Sequence, residues 1–199
     1  MSDIKLSETE SLKLINEMIG KAKSSYHSNG TDSIMWGSVI SFCSIVDFLQ
    51  MQFGFYIGFD IWWLMFLVLL PQFYMILKYR KKKNFVSYEE QTMRFVWWAF
   101  AVSIIMLMFF DAHYNPPHSE SLFLMLFGLP TFITGGIFRF KPMIIGGIIC
   151  WILFTVSLYT DLKINLLLMA LAALSAWLIP GIILHKKCKK EAQQSSDGI

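Results

Sequence analysis

The chain has 199 residues, 55% of them hydrophobic and only 16% charged, with 18 Phe, 12 Met and a net charge of +3. Its mean hydropathy of +0.52 excludes a water-facing fold, since a soluble domain averages about 45–50% apolar and about 25% charged residues. The basic residues gather at the ends of apolar segments, which excludes a nucleic-acid-binding face.

Residues 1–32 read as a cytoplasmic segment built on one amphipathic helix. Ser7 and Glu10 form a capping-box pair. Leu12, Ile15, Ile19, Ala22 and Tyr26 then recur at helical spacing, and Gly30 suits a helix stop. Near-balanced charge argues against simple adsorption to lipid. Residues 8–28 are therefore expected to pack on the inner face of the protein, to pair with a second copy or to dock a cytosolic partner.

Six apolar stretches follow, at 34–53, 61–77, 95–112, 121–138, 142–159 and 164–184. Each approaches the roughly 17–25 residues that a helix needs to cross about 30 Å of hydrocarbon. Helix is the expected form, because lipid offers an open backbone no hydrogen-bond partner and the alternation of a barrel strand is missing. All but one of the 17 Lys and Arg lie before the first stretch, after the second, after the fourth or after the sixth; the exception is Lys163. Basic residues stay cytoplasmic, so both termini are expected inside. The sequence thus predicts an all-α integral membrane protein: an amphipathic helix (1–32), a six-helix bundle of three hairpins (33–185) and a basic, disordered cytoplasmic tail (186–199).

Two features of the first hairpin and its successors stand out. Asp47 is the one acid well inside a span, with Gln50 one turn on; an ionised carboxylate in hydrocarbon costs several kcal/mol and should face the bundle or a wet cavity. The sharp reading is proton or cation handling, and the plain one is a structural hydrogen bond. The second, fourth and sixth stretches each carry a proline, Pro71, Pro130 and Pro180, nine residues before a basic residue. Each frees a carbonyl one turn earlier and predicts a kink, structural or serving a transport hinge. Gly135, Gly136, Gly146 and Gly147 flank a short inner turn and predict close helix packing, as do Cys150, Ala172 and Ala176.

The stretch "SYEEQTMRF" at 87–95 contains the Glu-Glu-x-x-x-Arg spacing of membrane proteases of the CAAX-processing type, and Phe109 and His113 match a second motif of theirs. The topology places Glu89, Glu90 and Arg94 at the inner end of one helix and His113 at its outer end, nearly 30 Å away at about 1.5 Å per residue. Carboxylate and imidazole cannot share a water across that distance. The family's further histidine pattern is also broken, with Lys189 four residues after His185. Asp111, His113, His118 and Glu120 are zinc-ligand types in one outer loop, but Pro116 and Pro117 explain it as a stiff turn. With no metalloprotease, hydrolase or phosphate-loop motif, neither catalysis nor a cofactor is expected.

The opening "ESLKLINEMIGKAK", followed by "IMWG" at the first span, resembles an uncharacterised family of bacterial membrane proteins of about 200 residues. The resemblance implies a six-helix protein of the bacterial inner membrane with no established activity and no catalytic residues. From the residues themselves, the expected role is a non-enzymatic accessory, sensory or regulatory membrane component, with a small transporter or exporter using Asp47 and the proline-broken helices as the rival.

Overall fold

Gly30 takes a left-handed conformation (φ 64°) immediately ahead of helix α1 (Thr31–Phe53), and Gly54 (φ 66°) closes it. Both are positions where a β-carbon would be strained. The computed structural model describes residues 30–80, 88–114, 116 and 119–197. The expected amphipathic helix at 8–28 lies outside these residues. After α1 come a 3-10 turn (Ile61–Trp63), α2 (Leu64–Arg80), α3 (Tyr88–Tyr114), α4 (Ser119–Ile137), α5 (Lys141–Ser157), α6 (Leu162–Ala173), a π-helical turn (Leu174–Leu178) and α7 (Ile179–Asp197). The described residues contain no strand.

Four helices are long and apolar enough to cross a membrane: Thr31–Phe53, Gln91–Tyr114, Ser119–Ile137 and Leu162–Lys190. The other two apolar stretches are shorter. The helices Leu64–Arg80 and Lys141–Ser157 have 17 residues each, about 25 Å of rise. The last span is not a helix followed by a loose tail. Beyond Lys186 the helix continues to Asp197, so residues 186–197 are helical where the sequence predicts disorder. Lys, Glu, Ala and Gln are good helix formers, and nothing breaks the run before Gly198.

The rod made by α6, the π turn and α7 is the centre of the bundle: α1, α4 and α5 all pack on it. The core there joins Ile40, Leu124, Phe127, Cys150, Met169 and Trp177. In hydrocarbon, exchanging lipid for protein gains little hydrophobic energy, so close backbone approach and internal hydrogen bonds must hold the helices. The sequence supplies small residues where this happens. A β-carbon on Gly146 of α5 would sit 2.6 Å from the Ser175 carbonyl oxygen and 2.7 Å from Ala176 Cα. On Gly37 of α1 it would sit 2.6 Å from the Leu178 backbone nitrogen. Between α4 and α5, Gly135 abuts Ile144 and Gly147 abuts Phe132. Gly136 differs: open space surrounds it, so it does not pack a helix as expected of it. It lies one residue round from Gly135, about 100° away on a 3.6-residue turn, and so points off the contact face.

Helices α2 and α3 are peripheral. Helix α2 rests on α1, where the Trp36 indole N–H donates to Gln72 Oε1 (3.1 Å), and α3 rests on α4. Phe95, Trp98, Ile105, Met106 and Phe109 are largely exposed along α3, as side chains facing lipid would be. Pro71 and Pro130 sit inside continuous α-helices. Pro180 follows the π turn. Its ring would crowd the carbonyl of Ala176 in an α-helix, and the wider π turn gives that carbonyl room.

Candidate functional site at the turn of the first hairpin

Helix α1 brings Asp47 and Gln50 to its C-terminal end one turn apart, and the Gly54 N–H closes the helix on the Gln50 carbonyl (2.9 Å). The chain then loops through 54–60, bending at Gly58 (φ 92°), and re-enters at the 3-10 turn. Asp60 caps that turn: its Oδ1 accepts the backbone N–H of Trp62 (2.9 Å). The indole N–H of the same tryptophan donates to Asp47 Oδ2 (3.1 Å). Trp62 is thus held by two carboxylates, one from each side of the loop. The Cys43 thiol adds a weak bond to the Ile61 carbonyl (3.5 Å).

Around this pair lies an open-sided hollow of about 460 Å³, bounded by Asp47, Gln50, Tyr56, Phe59, Asp60 and Trp62 among others. That is within the usual range for small-molecule sites, about 300–1,000 Å³. Its chemistry is one-signed. Residues 54–60 contain no Lys or Arg, and among the described residues the hydrogen bonds shown for both carboxylates come from Trp62. Two acids beside aromatic faces, with no basic residue between them, favour a positively charged occupant.

Asp47 and Gln50, singled out by their depth, therefore stand together, but the plain reading of Asp47 is realised as well, since it does accept a structural hydrogen bond. The sequence does not single out Trp62. Its bond to Asp47 crosses the loop and leaves no local sequence signal, whereas the Asp60-x-Trp62 cap is a short-range pattern that could have been found.

A second polar link crosses the core. The Trp177 indole N–H donates to Thr131 Oγ1 (2.8 Å), which donates in turn to the Phe127 carbonyl (2.7 Å). Rings of Phe127 (5.0 Å), Phe100 (6.2 Å) and Trp97 (6.3 Å) surround the indole. This satisfies a buried N–H at the π turn and ties the rod to α4; it is a packing device.

The protease-like residues are not assembled. Glu89 and His113 lie at opposite ends of the unbroken helix Tyr88–Tyr114, and His185 is exposed on α7. His118 lies outside the described residues, and among the described ones no group of three or more His, Cys, Asp and Glu could hold a metal. Comparison with models of known protein families, with curated proteins and with solved structures finds no match to this chain.

Proposed function

We propose that the protein is a six-span, multi-pass component of the bacterial inner membrane, with both termini in the cytoplasm and an accessory, sensory or regulatory role rather than an enzymatic one. In this reading the two 17-residue helices also cross, helped by the 3-10 turn ahead of α2 and by snorkelling of Lys141 at the start of α5. Exposed Arg139 and Lys141 at the α4–α5 turn, and Lys186, Lys187, Lys189 and Lys190 on α7, support the inside assignment.

One observation carries the choice of role. The polar hollow is confined to the outer end, and about 10 Å farther in along α1 the bundle is closed by Ile40, packed with Leu124, Phe127, Met169 and Trp177. An apolar closure at that level suits a protein that registers a ligand at its surface and passes the state to a partner, not one that conducts it. The test is crosslinking and pull-down from native membranes. Deleting residues 1–30 should leave the bundle inserted and abolish partner association; a deletion variant that keeps every partner would overturn this reading.

A small transporter or exporter is the second reading, favoured by the position of Asp47 in an open hollow and by the π turn beside Pro180. It requires cation or proton flux in proteoliposomes that Asp47→Asn removes. Flux indifferent to that substitution excludes the Asp47 route.

A further inference from the structure

Among the described residues, four buried side-chain polar atoms have no hydrogen-bond partner: Ser44 Oγ on α1, Asp111 Oδ1 on α3, Ser121 Oγ on α4 and Asn165 Nδ2 on α6. Ser44 and Ser121 are fully buried and Asn165 nearly so. Buried polar atoms are paired as a rule, so each of these calls for a partner. The four share one level of the bundle. Ile40, Leu124 and Met169 belong to one core cluster. Ser44 lies four residues after Ile40, Ser121 three before Leu124 and Asn165 four before Met169. Each therefore stands one turn from that cluster on the same helix face. The three steps run the same way. Helix α1 is antiparallel to the rod, since Ser41 reaches the Ala170 carbonyl (3.3 Å) while Gly37 abuts Leu178. Helix α4 is parallel to it, since Leu124 shares the cluster with Met169 while Thr131 accepts from Trp177. On α3, Phe100 and Ile104 pack against the same cluster. Asp111 continues their stripe seven residues past Ile104, about one turn before α3 ends and the chain turns back into α4.

We propose that Ser44, Asp111, Ser121 and Asn165 hold a monovalent alkali cation between α1, α3, α4 and α6, tying the peripheral α3 to the central rod. Hydroxyl, amide and carboxylate oxygens are hard donors and suit hard cations. Asn165 joins them through its amide. The Thr160 hydroxyl stands within bonding distance of both Asn165 Oδ1 and the Ser157 carbonyl, yet it has one proton to give. Turning the amide over lets Nδ2 donate to Thr160 Oγ1, leaves the hydroxyl proton to Ser157 and presents Oδ1 to the cation. A single carboxylate balances a single positive charge, whereas a divalent ion would leave net charge buried, which is costly. Lys163 is exposed and two residues from Asn165, off its face. None of the four residues lines the hollow at Asp47. This is therefore a second site, and it requires neither the role proposed above nor a particular orientation in the membrane.

Thermal unfolding of the purified full-length protein in mixed micelles tests this, in sodium, potassium or choline chloride at equal ionic strength. Sodium or potassium should raise the midpoint over choline in a saturable way, because a ligand held only by the folded chain stabilises it. Asp111→Asn should remove that rise. Ser44→Ala and Ser121→Ala should each increase the half-saturating concentration about tenfold by deleting one ligand oxygen. Asp161→Asn, which removes an exposed charge at the same end of the bundle, should leave it unchanged. Where a variant does not fold, equilibrium dialysis of the unsubstituted protein against radioactive sodium or potassium decides: about one ion bound per chain is expected, and none overturns the proposal. Equal midpoints in all of the salts would assign the layer to bound water. A rise that Asp111→Asn and Asp161→Asn lower alike would reduce it to general screening. Either result overturns the cation site.

Discussion

Consider Gly146→Ala on α5. The added β-carbon would meet the Ser175 carbonyl oxygen at 2.6 Å and Ala176 Cα at 2.7 Å. Both are backbone atoms of the π turn, so no side chain can swing aside. Reaching an ordinary 3.4 Å requires α5 and the rod to separate by roughly 0.8 Å, and a gap of 0.5–1 Å forfeits about a quarter to a half of each dispersion contact along the seam. That seam includes Cys150, fully buried against the Ala172 carbonyl. Over-packing of this kind costs about 1–3 kcal/mol, and we expect about 2 kcal/mol here, the added methyl gaining little helix propensity against it. Gly136→Ala is the matched control. Nothing lies within 4 Å of its β-carbon position, so the substitution should be neutral or should stabilise by up to about 1 kcal/mol through helix propensity. The assay is reversible denaturant unfolding in mixed micelles, comparing the two variants. Adding Ala176→Gly to Gly146→Ala should not restore stability, because the clash is with Ala176 Cα and not with its methyl. Equal destabilisation by Gly136→Ala, rescue by Ala176→Gly, or a neutral Gly146→Ala would each refute the reasoning.

Two further outcomes follow from the polar links. Trp177→Phe removes the indole N–H but leaves Thr131 bonded to the Phe127 carbonyl, so it should cost about 1 kcal/mol, whereas Trp177→Ala should cost about 3–5 kcal/mol by opening a cavity; similar losses in the same unfolding assay would mean that the hydrogen bond, not the ring, dominates. Asp47→Asn keeps an acceptor for the Trp62 indole, while Asp47→Leu strands its N–H, so only the second should shift Trp62 emission, read against a Trp62→Phe background. Equal shifts would show that charge rather than the hydrogen bond fixes the indole.

Much of the fold was legible in the residues, and the reason is that hydropathy is local. The apolar stretches at 34–53, 95–112 and 121–138 locate α1, α3 and α4 because lipid forces any such run into helix. Gly146, Cys150, Ala172 and Ala176 announced a close contact by their size, and they make it. Helix ends were less legible. Helix α3 starts at Tyr88, before its apolar run, and α7 outlasts its own by more than ten residues. Backbone hydrogen bonding continues through any good helix former, polar or not.

What the sequence alone determined is the solvent each segment tolerates: which runs are apolar enough for lipid, and that Asp47 needs a partner. Only the tertiary structure decided who the partners are. Trp62 reaches Asp47 across a loop, Trp177 reaches Thr131 across 46 residues, and of two adjacent glycines Gly135 is pressed on Ile144 while Gly136 is bare. Burial preference is a property of one residue and its neighbours in sequence, whereas a contact depends on the rotation and depth of two helices at once, which no local pattern encodes.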